Sequence, residues 1–239
     1  MSDDLAQLMP LRRPTTDRPL LGTTVLVVED SRFACEAMRL LCLRSGARIR
    51  RADCLASARR HLGTYRPTAI IIDLGLPDGS GRDLIEELAA TISRVPVILA
   101  TSGDPTMADG ALEAGADGFL TKPINSLGTF QQAILDHLPQ TARPSGPREI
   151  SRETVSPDPL AMRDDLAHIA NILSGSANED ILDYVAQFLA SLATTATDAP
   201  LAKAAQDLSD VRANGQPSGD AIARISGLVG DRLAASGPI

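Results

Sequence analysis

The feature that most constrains this chain is an alternation. Short apolar runs rich in β-branched residues are separated by stretches of helical periodicity, and this recurs five times within about 120 residues. Thr24 to Val28 (TVLVV) reads as a buried strand, and Ser31 to Arg44 as a helix that stops at Gly46. Ala47 to Ala52 reads as a more polar strand near an edge, and Ala56 to Leu62 as a helix. Thr68 to Ile72 (TAIII) and Pro96 to Ala100 read as central strands, with Asp83 to Thr91 and Thr106 to Ala114 as the helices that follow them. Gly118 to Thr121 is a short fifth strand and Leu127 to Leu138 a last helix. Strands that are apolar throughout must be covered on both faces, which implies an α/β domain with a doubly wound, five-stranded parallel sheet.

The rest of the chain does not continue the pattern. Residues 1–22 carry three prolines and no sustained periodicity, and are expected to form a flexible arm. Residues 140–159 are rich in Pro, Ser, Thr and Arg and read as a linker. From 160 to 239 the periodicity is helical only, with candidate helices at about 160–173, 178–193, 199–213 and 219–235. Ile169, Ile172, Leu173, Ile181, Leu182, Tyr184, Val185, Phe188 and Leu189 are expected to form this segment's own core.

Charge and composition narrow the function. The formal net charge is −7, there is no Trp, and only two Tyr and four Phe are present. Residues 151–239 hold six basic against twelve acidic side chains, the wrong sign for phosphate contacts, so DNA is a disfavoured partner. No apolar run is long enough to span a bilayer and the N-terminus has no secretory h-region, so a cytoplasmic protein is expected. The odd set Cys35, Cys42 and Cys54 suits a reducing compartment and reads as small hydrophobes.

In a parallel sheet the residues just after each strand converge on one rim. Here they are Glu29 and Asp30, then Asp73, then Thr101 and Ser102, then Lys122 with Pro123. Three carboxylates in one place repel strongly unless a hard divalent cation such as Mg²⁺ joins them. A hydroxyl and an ammonium group beside them can hold phosphoryl oxygens. These are the parts for phosphoryl transfer to a carboxylate.

The stretches VLVVEDS (25–31), IIIDLGLPDGSG (70–81), VILATSG (97–103) and GADGFLTKPI (115–124) together resemble the receiver domain of two-component response regulators, over about residues 23–139. The resemblance implies a flavodoxin-like fold in which Asp73 takes a phosphoryl group from a sensor histidine kinase or a histidine phosphotransfer protein. It implies Mg²⁺ held by Glu29, Asp30, Asp73 and the Gly75 carbonyl, and phosphoryl contacts from Thr101 and Lys122. Pro123 would follow in a bond that is often cis, and Pro77 and Gly81 would shape the acceptor loop. Phe119 stands at the switch-aromatic position coupled to Thr101. Glu29 replaces the commoner Asp, and Phe119 lacks a tyrosine's hydroxyl.

On this reading the protein catalyses only its own phosphorylation and hydrolysis, and phosphorylation switches contacts with an unknown downstream protein. Homodimerisation is left open. Two alternatives are a transcriptional regulator with an unrecognised DNA-binding half and a phosphotransfer protein using His168. His168 is followed by Ile-Ala-Asn, without the His-x-x-Lys-Gly of transfer domains, and an ordinary helix histidine is the favoured reading.

Overall fold

The computed structural model describes residues 13–175 and 179–235. The first unit runs β1 (Thr24–Val28), α1 (Arg32–Ser45), β2 (Arg48–Ala52), α2 (Leu55–Thr64) and β3 (Ala69–Asp73). A two-stranded hairpin follows, β4 (Gly75–Leu76) and β5 (Gly79–Ser80), then α3 (Gly81–Ala89) and β6 (Val97–Ser102). It ends with α4 (Ala108–Glu113), β7 (Gly118–Thr121) and α5 (Leu127–Leu135). All pairs in the main sheet are parallel, in the order β2-β1-β3-β6-β7. The doubly wound, five-stranded parallel sheet expected from the alternation is present.

Burial explains the layering. Every residue of β3 and β6 is buried, and the alternate side chains feed two cores. Val25, Val27, Ile71 and Leu99 face α1 and α5, while Leu26, Val28, Ile70, Ile72 and Ile98 face α2, α3 and α4. Truncating one such Ile to Ala costs about 2–5 kcal/mol. Local caps set the helix starts. Ser31 accepts from the Ala34 N–H at α1, and Ser126 accepts from the Thr129 N–H at α5. Gly46 ends α1 at φ +81°, a left-handed position that suits glycine.

The hairpin is the one strand pair the apolar pattern does not signal, because four residues leave no periodicity to read. Helix edges differ from expectation by at most three residues, as end turns do, and the helices Ala199–Ala213 and Gly219–Ala235 match at both ends. The stretch from Thr106 begins as a 3₁₀ turn at Pro105–Met107 before α4.

Of the expected arm, residues 1–12 lie outside the described residues. Within 13–22, Leu20 is fully buried in the α1/α5 core and its N–H donates to the Ser45 carbonyl at 3.0 Å. The linker also makes contacts. Val155 is buried, its N–H donates to Asn125 O at 2.8 Å, and Arg148 bonds Gln131 and Gln132 on α5.

Among the described residues the second unit has four helices: α6 (Pro159–Ser174), α7 (Glu179–Ala196), α8 (Ala199–Ala213) and α9 (Gly219–Ala235). Leu166, Ile169, Val185, Leu189, Leu192, Leu201, Leu208, Ile225 and Val229 form its core. That core also takes in Phe33 from α1, so the two units share an apolar contact. Among the described residues no helix is long and apolar enough to cross a membrane.

Candidate phosphoacceptor site

The strand ends deliver the site. Asp73 closes β3, and the sheet register sets it directly opposite Thr101 on β6. Glu29 and Asp30 follow β1, and Lys122 follows β7. The Lys122–Pro123 peptide bond is cis. One carboxylate oxygen from each of Glu29, Asp30 and Asp73 lies within 4.8 Å of the others. Lys122 Nζ is 3.1 Å from Asp73 Oδ2 and 2.7 Å from Glu29 Oε2. The sequence-predicted acidic trio and lysine are thus brought together.

The electrostatics are those of a buried, unbalanced cluster. Glu29, Asp73 and Lys122 are all buried. Burial drives the Glu29 carboxyl well above its usual range, against the pull of Lys122. Burial, and then the charge of Asp73, push Asp30 up to about 6. Burial alone would lower the Lys122 ammonium, but Asp73 and Glu29 outweigh it and hold it above its ordinary value. Three carboxylates against one ammonium leave an excess of two negative charges when all are ionised. Glu29 Oε2, deeply buried, has no well-aligned hydrogen-bond donor. An all-oxygen acidic cluster with more negative charge than its one ammonium balances fits a hard divalent cation.

The loop beside the acceptor is held from two sides. Asp78 accepts from the Leu55 and Ala56 N–H groups at 2.8 and 2.9 Å, fixing the hairpin to the start of α2. A Cβ at Gly81 would sit 2.0 Å from the Asp73 carbonyl oxygen, so only glycine lets α3 start this close to the acceptor. Gly75 lies on the hairpin two residues past Asp73 and lines the same cavity as Asp73.

Thr101 is buried, and its hydroxyl donates to Leu120 O at 2.8 Å. Phe119, on β7, is half-buried and packs on the α2/α3/α4 side of the sheet. His168 is exposed on α6 with its ring edge-on to Phe188. It lines a cavity with Glu29 and Asp30, whereas Asp73 lines a different one.

The sequence reading missed the other wall of the site, which comes from the helical unit. The Tyr184 hydroxyl donates to Asp30 Oδ2 at 2.9 Å. Lys122 Nζ donates to Ser191 Oγ at 2.7 Å. A Cβ on Gly75 would fall 2.3 Å from Gln187 Nε2, so the Gln187 amide rests on that glycine. Asp165 of α6 accepts from Ser31 Oγ (2.8 Å) and from the Arg32 (2.9 Å) and Phe33 (3.0 Å) N–H groups, capping α1 from the other unit. Tyr184, expected only as core, therefore has its hydroxyl in the site. The available signal was the spacing: Tyr184, Gln187, Ser191 and Thr194 recur at three- and four-residue intervals, a polar stripe beside the apolar face of the helix.

Comparison with known proteins bears on residues 25–134. Residues 25–134 match the family described as response regulator receiver domain. The KDP operon transcriptional regulatory protein KdpE of Escherichia coli is 34% identical over 145 residues, covering 60% of this chain and 59% of that protein. The transcriptional regulatory protein KdpE of Mycobacterium tuberculosis is 35% identical over 102 residues, 43% of this chain and 45% of that protein. The chain thus spans about half the length of these relatives. A putative response regulator from Chloroflexus aurantiacus aligns with a TM-score of 0.44 at 28% identity, over 48% of this chain and 98% of that one. Residues 25–134 of this chain belong to the response regulator receiver family.

Proposed function

We propose that the chain is a phosphorylation-controlled switch in a two-component system, with Asp73 as acceptor. The carrying observation is Asp73 at the end of β3, 3.1 Å from Lys122 Nζ and clustered with Glu29 and Asp30. An Asp73 carboxylate oxygen attacks the phosphorus of a phosphohistidine on a histidine kinase or phosphotransfer protein. The O–P bond forms as the donor's N–P bond breaks. Glu29, Asp30 and Asp73 would hold Mg²⁺, with Gly75 contributing its carbonyl, and the cation would neutralise charge on the transferring group. Lys122 already faces Asp73 and is placed to pair with the phosphoryl oxygens. Thr101 would exchange its bond to Leu120 O for a phosphoryl oxygen, loosening β7 where Phe119 sits. No reaction on any other substrate is proposed.

The output is read as protein contact. The transcriptional roles of the relatives are theirs, and the acidic helical unit of this chain opposes phosphate contacts. The test is incubation with acetyl phosphate and Mg²⁺. Label on the wild type, absent from Asp73→Asn and absent with chelator, is expected. Equal labelling of Asp73→Asn would overturn the assignment.

A further inference from the structure

The bonds from the helical unit fall on the groups that phosphorylation must engage. Tyr184 takes a lone pair of Asp30, a proposed cation ligand. Ser191 accepts a hydrogen bond from Lys122, the proposed phosphoryl clamp. Gln187 lies on Gly75. With α7 in place the side chains of Glu29 and Lys122 are each 1% exposed and that of Asp73 is 6% exposed. Asp73 faces a cavity of about 750 Å³ whose far wall is Gln187, Ser191 and Thr194. Glu29 and Asp30 face a separate cavity past Tyr184. With 6% of its side chain exposed, Asp73 offers little surface to a histidine carried on another protein's helix while α7 stays in place.

Resting on the acceptor reading above, we propose that the acceptor rim is the docking surface for the chain's own helical unit, and that α7 and the phosphoryl donor compete for it. Tyr184, Gln187 and Ser191 are the positioning residues of the docked state.

The chemistry of the contacts gives the direction of the switch. The Tyr184 and Ser191 hydrogen bonds of α7 are made to charged groups that have stronger partners once Asp73 is phosphorylated. Lys122 prefers a phosphoryl oxygen to a serine hydroxyl, because both partners are then charged. Asp30 prefers a cation to a phenol for the same reason. A phosphoryl group adds nearly two negative charges where Ser191 now sits against Lys122. Losing one hydrogen bond to a charged group shifts an equilibrium by roughly ten- to a hundredfold. The stripe is also unlike an ordinary domain contact. α7 sets its Tyr184 hydroxyl on the Asp30 carboxylate and its Ser191 hydroxyl on the Lys122 ammonium, whereas among the described residues Phe33 is the one receiver side chain in the buried core of the helical unit.

The same geometry supplies a reporter. A Cβ on Gly103 would lie 3.7 Å from the Thr194 Cβ, within the separation a disulfide spans. The Gly103→Cys/Thr194→Cys pair, in a Cys54→Ser background to remove the partly exposed native thiol, measures docking by its rate of cross-linking. The pair is expected to cross-link readily in the unphosphorylated full-length chain. It should cross-link at least tenfold more slowly after labelling with acetyl phosphate and Mg²⁺, and adding Asp73→Asn should remove the difference. Adding Tyr184→Phe and Ser191→Ala should slow cross-linking without phosphorylation and speed labelling of the reduced protein. Should that variant fail to fold, Gln187→Ala is the substitute, expected to act in the same direction. Equal cross-linking before and after labelling overturns the proposal while leaving the acceptor reading intact, as does absence of cross-linking in both states. Absence of label at Asp73 overturns the acceptor reading, and the competition falls with it.

Discussion

At the scale of single residues, the site depends on one charge and one missing side chain. Lys122 is the buried cation facing Glu29 and Asp73. Removing it leaves buried carboxylates without compensation, which costs about 3–5 kcal/mol. Lys122→Ala is expected to lose stability of that order in urea unfolding with chelator present, and to regain part of it when Mg²⁺ is added. Gly81 is the missing side chain. Gly81→Ala would drive a methyl into the Asp73 carbonyl, so the end of β3 must move. Overpacking of this kind costs about 1–3 kcal/mol. Labelling of Asp73 should fall more steeply than stability does, as acetyl phosphate labelling beside thermal unfolding would reveal. Asp73, Asp30, Glu29 and Lys122 were all legible in the sequence, because a parallel sheet sends every strand end to one rim. Tyr184 and Ser191 were not. They lie more than sixty residues beyond the nearest of those groups, and nothing local says that their helix lies over the rim.

At the scale of elements, strand identity was easier to read than helix packing. β3 and β6 are buried on both faces, so their sequences are continuous apolar runs that admit few other readings. The four C-terminal helices were legible as helices from periodicity and punctuation. Their arrangement was not, since amphipathic helices of similar length can bundle in several orders. Their stability rests partly on a charged clamp. Asp198 caps α8 by accepting from the Leu201 N–H at 3.1 Å, and pairs with Arg232 of α9 at 2.6 Å. The Arg232 hydrogen bond holds the Asp198 carboxyl below its ordinary value of 3.8. A carboxyl lowered in the folded state adds stability above its unfolded value and loses it as pH falls through the folded one. Asp198→Asn keeps a capping oxygen but removes the charge. Wild type should therefore unfold at higher temperature than Asp198→Asn near neutral pH. The gap should narrow as pH falls below about 4 and close only once pH passes below the lowered folded value, where the Asp198 side chain too is neutral. A gap that persists at acid pH would assign the effect to packing rather than to the ion pair.

At the scale of the whole molecule, two units that each bury a core are joined over the buried acidic rim of the receiver. Asp165 is central to that junction. It caps α1 through two backbone N–H groups and the Ser31 hydroxyl, and burial raises its carboxyl despite those bonds. Substituting a capping carboxylate costs about 0.5–2 kcal/mol, and here the loss falls on the docked state, because the cap is supplied by the other unit. If docking and loading of the acidic cluster exclude each other, apparent Mg²⁺ affinity equals the intrinsic affinity multiplied by the undocked fraction. Weakening the junction must then strengthen Mg²⁺ binding by the factor in which that fraction grows, since coupling between two equilibria is reciprocal. Asp165→Ala is expected to raise Mg²⁺ affinity about two- to thirtyfold, the range that this cap energy corresponds to. It should also speed hydrogen exchange along α7 while leaving β3 protected. Titration calorimetry and hydrogen exchange on the same samples measure both sides of the balance. Faster exchange in α7 with unchanged Mg²⁺ affinity would mean that the helical unit rests on the receiver without controlling its acceptor.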